Sequence, residues 1–260
     1  MVRHADIAHF HRFGFVVLRR AFDPEPLSQE IDRSFREGSR APFDVNVAGG
    51  QISGRYLPMM CERTPVSLAL LDQFADVAAQ LLATDVLPVR AKGVLYHGDT
   101  NWHTDSDHDV TSVGFVCYLE PLQAHNGALR VLPASHRERF GPSVHARSAA
   151  FATLPGLAIE TEPGDVIVFD EHLCHSSNGG TNRRQWRVDF VANPTNAREE
   201  AAVRDYFERL YVPGWDGGYD ADRYPTYGAH WHASGRPWLD RLEQLGAHGA
   251  AAAEEAALKS

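Results

Sequence analysis

The chain has 260 residues, 43% apolar and 23% charged, which is enough apolar material to bury a full core within one domain. A net charge of -9 argues against nucleic acid or an anionic membrane as a partner, since both demand a basic face. The opening "MVRHADIAHFHRFGFVVLRR" is broken by charge and histidine too often for a signal peptide or a membrane span, and Cys61, Cys117 and Cys174 are too few and too far apart for a disulfide framework or a zinc knuckle, so a soluble, cytoplasmic protein with core thiols is expected.

In chain order, "ADIAHFHRFG" spaces Ile7, Phe10 and Phe13 helically and stops at Gly14, after which "FVVLRR" reads as a β-branched strand. Asp23-Pro24 starts a second helix whose apolar positions Leu27, Ile31 and Phe35 recur every four residues up to Gly38. The Gly- and Pro-containing stretch from Arg40 to Cys61 reads as irregular, a possible lid. Thr64 before Pro65 reads as the N-cap of a long internal helix, "VSLALLDQFADVAAQLLA". From Val86 the texture changes to short β-rich runs separated by Gly, Pro and Asn turns: "VLPVRAKGVLYH", "VTSVGFVCYLEP", "ALRVLPASH", "GLAIETEPGDVIVFD" and "QWRVDFVANP". Short strands without intervening helices predict a mainly β jelly roll with flanking helices. One domain over 1–260 is expected, with a mainly helical part over 1–85, a barrel core over 86–195, and a helix, an aromatic loop and an Ala-rich tail over 196–260.

The segment "NWHTDSDHDV" packs two histidines and three aspartates into ten residues. In an extended strand residues i and i+2 share a face, so His103 and Asp105 can present an imidazole and a carboxylate to one point. By itself the pattern, in a chain with 14 histidines, reads more readily as an exposed acidic loop than as a ligand pair. Downstream come a hairpin strand, "NGALRVLPASHR", then the turn and strand "EPGDVIVFD", then His175. Two histidines and one carboxylate leave three adjacent positions open on a ferrous ion, which is what oxygen chemistry needs. The following "RRQWRVDF" carries arginines able to hold a carboxylate with a two-pronged donor fork.

This ordered set, His103-x-Asp105, "NGALRVLPASHR", "PGDVIVFD", His175-Ser176-Ser177 and a following arginine, resembles the phytanoyl-CoA dioxygenase-like branch of the Fe(II)/2-oxoglutarate-dependent oxygenases. The resemblance spans Val86 to Pro194, and "FHRFGFVVLRRAF" is similar to the family's amino terminus. It implies a double-stranded β-helix (a jelly-roll, cupin-like barrel) with iron held by His103, Asp105 and His175. It further implies 2-oxoglutarate and O2 as cosubstrates, ascorbate as a possible reductant, and an arginine on the cosubstrate's far carboxylate. Arg187 is preferred for that role because it begins the strand "RVDFVA". Arg184 is the second candidate, although Arg183 and Arg184 together read as a solvated basic pair in the turn. Ser177 matches the family serine two after the distal histidine. Lys92 and Tyr96 share a strand face and are expected to reach cosubstrate or substrate. Trp102 is expected to pack behind the metal strand and is carried with Tyr96, Asp107 and Asp189 as a substrate-side candidate. His97, His108, His136 and His172 read as lining rather than as ligands.

The implied chemistry is oxidative decarboxylation of 2-oxoglutarate to succinate and carbon dioxide, coupled to oxidation of an unactivated carbon. Hydroxylation is the default, and desaturation, epimerisation and oxidative cyclisation stay open. Asp105 argues against halogenation, which needs the carboxylate's place for halide. No Lys or Arg lies between Gly93 and Leu129, whereas Asp99, Asp105, Asp107, Asp109 and Glu120 do, and Asp189 shares Arg187's face. An electronegative mouth and a polar, amine-bearing small-molecule substrate such as an aminoglycoside-type biosynthetic intermediate are therefore expected, in place of an anionic CoA thioester. Two other classes stay open: a noncatalytic jelly-roll binding protein with a calcium-filled acidic loop, and a cupin-type metal-dependent hydrolase or isomerase. The downstream arginine and serine have no role in either.

Overall fold

The computed structural model describes residues 2–47, 50–138, 154–210 and 218–247. The expected Ala-rich tail and part of the aromatic loop lie outside them. Two antiparallel sheets face each other. The larger takes the order β1-β9-β6-β11-β4-β3-β2 and the smaller β5-β10-β7-β8. The strands are β1 (Phe15–Leu18), β2 (Phe43–Val47), β3 (Gly50–Pro58), β4 (Val86–Gly98), β5 (Thr100–His103), β6 (Ser112–Tyr118), β7 (Leu129–Val131), β8 (Leu157–Ile159), β9 (Val166–Asp170), β10 (His175–Ser177) and β11 (Arg183–Ala192). From β4 onward the chain crosses between the sheets, the double-stranded β-helix that the texture after Val86 predicts.

Helices α1 (His4–Phe13), α2 (Pro24–Gly38) and α3 (Pro65–Leu82) precede the barrel, and α4 (Ala197–Glu208), α5 (Ala229–His232) and α6 (Leu239–Gln244) follow it. Among the described residues no helix is long and apolar enough to cross a membrane. Helix α3 covers the outer face of the larger sheet, where Phe74 stacks on Phe115 at 5.4 Å and Trp186 Nε1 donates to Ser67 Oγ at 2.7 Å. With Trp186 and Val188 turned to the helices, the alternation of an extended strand turns Arg183, Gln185, Arg187 and Asp189 to the barrel interior. That division of β11 sets up the site.

Two local expectations are corrected. Thr64 does not cap α3 with its side chain: its hydroxyl donates to the Cys61 carbonyl and accepts from the Cys61 N–H. The cap comes from another helix, because Glu30 on α2, buried, accepts from the N–H groups of Val66 and Ser67 at 2.9 and 2.8 Å. Within the stretch from Arg40 to Cys61, β2 and β3 pair antiparallel and extend the larger sheet. Gly54 serves close packing: a Cβ there would lie 2.1 Å from the Leu95 carbonyl oxygen of the neighbouring strand. The two strands bring Phe43 and Ile52 to the barrel mouth.

Candidate active site

The histidine pair comes from strand pairing. β5 and β10 are antiparallel with His175 in register with His103, and their rings lie 4.3 Å apart. Each ring is oriented from behind by its own chain, His103 Nδ1 bonding the Asn101 carbonyl at 2.7 Å and His175 Nδ1 the Leu173 carbonyl at 2.9 Å. The Nδ1 protons are thereby committed, and both Nε2 lone pairs face inward. Asp105, just past β5, brings Oδ1 to 3.7 Å from His103 Nε2 and 3.4 Å from His175 Nε2. The three ligand atoms lie within 4.8 Å of one another. Burial alone would raise the Asp105 pKa, but Arg187 and His175 beside it hold the carboxyl well below the usual range. Two imidazoles and an ionised carboxylate converging on one point fit a divalent transition metal such as iron. Among the described residues this is the one cluster of three such groups, and the acidic residues from Asp99 to Asp109 form no separate oxygen-only cage, contrary to the calcium-loop reading.

The cavity beside these ligands, about 140 Å³, is lined by both sheets, with Lys92, Tyr96, Tyr118, Ser177, Gln185 and Arg187 as its polar wall and Phe43, Ile52, Val116, Leu129 and Phe169 among its apolar surfaces. Lys92 and Arg187 are direct cross-strand neighbours. Arg187 is surrounded by acids: Nε donates to Asp189 Oδ1 at 2.5 Å, Nη1 to Asp105 Oδ2 at 2.5 Å, and Nη2 to Glu171 Oε1 at 2.8 Å. Burial first and Asp189 second push Glu171 up to about 7. Lys92 is 9% exposed and, among the described residues, forms no ion pair, and burial followed by the nearby Arg90 and Arg187 lowers its pKa to about 7.

The arginines at the start of β11 do not form a solvated pair. Arg184 points outward to Glu120 and to Ser28 and Asp32 of α2, pinning that helix to the barrel away from the cavity. Arg183 is only 1% exposed. Its Nη1 donates to Ser177 Oγ and to the Gly127 carbonyl, both at 3.1 Å, its Nη2 donates to the Gly98 carbonyl, and its guanidinium lies 4.5 Å from the Tyr96 ring centre. Ser177 in turn shares a 2.9 Å hydrogen bond with Thr100. A turn rich in Asn, Gly and Thr before Arg183 suggests solvent; the period-two alternation with Arg187 was the signal for an interior position.

The substrate-side candidates divide. Tyr96 lines the cavity, but Trp102 points to the opposite face of β5 among Cys174, Leu132 and Leu154. Asp107 is exposed, 3.8 Å from His108. Asp189 is buried and bound to Arg187, so it is not seeking a partner from outside. The other acids of the expected electronegative mouth are likewise met within the fold: Asp99 by the Gly179 N–H, Asp109 by Arg198, and Glu120 by Arg184. These partners come from distant sequence, which is why the local span looked uncompensated. His172 bonds Asp170 and the His108 carbonyl and stands outside the metal cluster, while His97 accepts from the Asn182 N–H and His108 pairs with Asp205.

Comparison with known proteins follows this geometry. The profile of the phytanoyl-CoA dioxygenase (PhyH) family matches residues 10–187. An ectoine dioxygenase from Sphingopyxis alaskensis is 26% identical over 211 residues, 66% of this chain and 69% of that protein. Among solved structures, AviO1 from Streptomyces viridochromogenes Tue57 superposes with a TM-score of 0.57 at 21% identity, over 75% of this chain and 98% of that one. The epimerase SnoN of nogalamycin biosynthesis, in complex with Fe3+, alpha ketoglutarate and nogalamycin RO, gives 0.58 at 14% identity, over 73% and 83%. These superpositions share the jelly-roll fold, and the profile covers more than half of the chain, so the chain belongs to the phytanoyl-CoA dioxygenase (PhyH) family and is a dioxygenase that works with iron and 2-oxoglutarate.

Proposed function

We propose that this oxygenase acts on a small polar molecule of natural-product type, with His103, Asp105 and His175 holding iron and the polar wall of the cavity holding 2-oxoglutarate. The observation that carries the reading is the convergence of two inward Nε2 atoms and one carboxylate oxygen on a cavity whose wall includes Lys92, Ser177 and Arg187. When bound, the metal supplies oxygen activation coupled to decarboxylation of the keto acid. The protein's part is to bind, orient and exclude water. Hydroxylation is the default outcome.

The cosubstrate is assigned along the cavity's length. Its far carboxylate goes to the Ser177 end, where Arg183, not Arg187, supplies the cation, because Arg183 bonds Ser177 while each nitrogen of Arg187 already bonds a carboxylate. Its keto-acid end lies by the metal ligands, where Lys92 is the wall cation without an acid of its own. An amine on the substrate is not required by this site, since the acids that suggested one are paired internally. The neighbour named for an epimerase of nogalamycin biosynthesis supports a substrate of natural-product type, and the relative named an ectoine dioxygenase supports a small polar one; a cytoplasmic setting remains the expected one.

The test is succinate release in the presence of Fe(II), 2-oxoglutarate and oxygen. Release must depend on all three and be stimulated by small polar candidates, aminated and neutral, above CoA thioesters or fatty acids. Preference for the thioesters or fatty acids overturns the substrate class. Release that ignores iron overturns the assigned site.

A further inference from the structure

We propose that Arg187 is a positioning residue for Asp105, locked from behind by Glu171, Asp189 and Tyr206, so that Asp105 presents a single oxygen to the metal. This rests on the metal site proposed above. The two carboxylate oxygens of Asp105 have different surroundings: Oδ1 faces both imidazole Nε2 atoms, and Oδ2 accepts from Arg187 Nη1. A carboxylate gripping a metal through both oxygens would take a position that a bidentate keto acid or oxygen needs, and the arginine's hold on Oδ2 opposes that.

The hold is built from three separate parts of the fold. Arg187 stands on β11, Glu171 follows β9, and Tyr206 on α4 donates to Glu171 Oε2 at 2.7 Å. Glu171 also fixes the backbone of the ligand loop, since its carbonyl accepts from the N–H groups of Asp105 and Ser106 at 2.9 and 3.2 Å. One residue thus sets both the main chain of Asp105 and, through Arg187, its side chain. Glu171, Asp189 and Tyr206 are all buried, so the arrangement is shielded from water and its geometry is stiff. Room for it is kept by Gly114, which pairs with Asp189 across β6 and β11: a Cβ there would lie 3.1 Å from Arg187 Nη2 and 3.2 Å from Asp189 Oδ1. Helix α4 is tied to the loop a second time, His108 Nδ1 meeting Asp205 Oδ2 at 3.0 Å.

The experiment is Co(II) titration of the full chain, followed by visible absorption, on wild type, Arg187→Met, Arg187→Lys, Tyr206→Phe and Gly114→Ala, with the 2-oxoglutarate requirement measured separately at saturating Fe(II). Arg187→Met is expected to weaken Co(II) binding about ten- to hundredfold, as loss of a partner behind a metal ligand does. Arg187→Lys should restore part of that loss, and Tyr206→Phe and Gly114→Ala should weaken binding by less while shifting the Co(II) ligand-field bands. The 2-oxoglutarate requirement of Arg187→Lys and Tyr206→Phe should change little. Unaltered Co(II) affinity and bands in Arg187→Lys and Tyr206→Phe overturn the proposal even if Arg187→Met fails to fold, and so does a raised 2-oxoglutarate requirement at unchanged metal affinity. A wild type that binds no Co(II) overturns the metal site itself, and this role with it.

Discussion

Arg183 and Arg187 lie four residues apart on the same inward face of β11 and have opposite surroundings: Arg183 is set among backbone carbonyls and Ser177, and Arg187 among three carboxylates. A cosubstrate carboxylate is repelled by acids and attracted by a cation whose neighbours are neutral. Arg183→Met is therefore expected to raise the 2-oxoglutarate requirement about tenfold or more while leaving Co(II) affinity near wild type, because loss of a charged partner at a buried site costs several kcal/mol. A larger effect on the 2-oxoglutarate requirement in Arg187→Lys returns the role to Arg187, and an effect largest in Arg184→Met moves it to the outward arginine.

His103→Ala, Asp105→Ala and His175→Ala are each expected to abolish succinate formation and stoichiometric metal binding with far-ultraviolet circular dichroism unchanged, since the three ligand atoms act as one set. Near-normal turnover in any of the three contradicts the ligand assignment.

Lys92 gives a proton-linked signature. Burial lowers its pKa to about 7, so at pH 8 it is mostly neutral, and bringing a dianion beside it favours the charged form. Binding of 2-oxoglutarate at pH 8 is expected to take up a proton, detected by calorimetry in two buffers of different ionisation enthalpy, and Lys92→Met should abolish the buffer dependence. In the unliganded protein the sign for stability runs the other way from an ion-paired lysine: the folded value lies below the unfolded one, so stability from this group rises with pH from about 7 toward 10.5. A wild type with no buffer dependence refutes the assignment.

Glu30→Ala should destabilise the fold by about 1–3 kcal/mol, read as a lower urea midpoint, because it strands the N–H groups of Val66 and Ser67 at a buried helix start. Burial raises the Glu30 pKa, so the stability it contributes is full below the unfolded value of 4.5 and declines as pH rises through the folded one. Glu30→Gln should flatten that decline. Thr64→Val, by comparison, tests the local cap that the sequence suggested, and a larger loss there than in Glu30→Ala contradicts the cap supplied by α2.

What the sequence by itself determined is what depends on local order. Helical apolar spacing, three residues apart in α1 and four apart in α2, placed those helices, and alternation with turn residues placed the barrel strands. The i and i+2 spacing of His103, at the end of β5, and Asp105, just past it, made a ligand pair available, and the order of the motifs pointed to His175 as the third member. Tertiary structure decided everything that depends on which distant groups meet. Arg183 reads as solvated from its polar turn, and it is buried by the pairing of β11 with β4, by Ser177, and by the Gly98 and Gly127 carbonyls, which come from distant sequence. The Asp-rich stretch reads as unneutralised because Arg184, Arg187 and Arg198, which meet Glu120, Asp105 and Asp109, lie far away in the chain. Glu171 and Tyr206 carry no motif, and their role exists only because β9 and α4 end beside the same carboxylate. Charge compensation in a folded chain acts through space over a few ångströms, so sequence spacing has no hold on it.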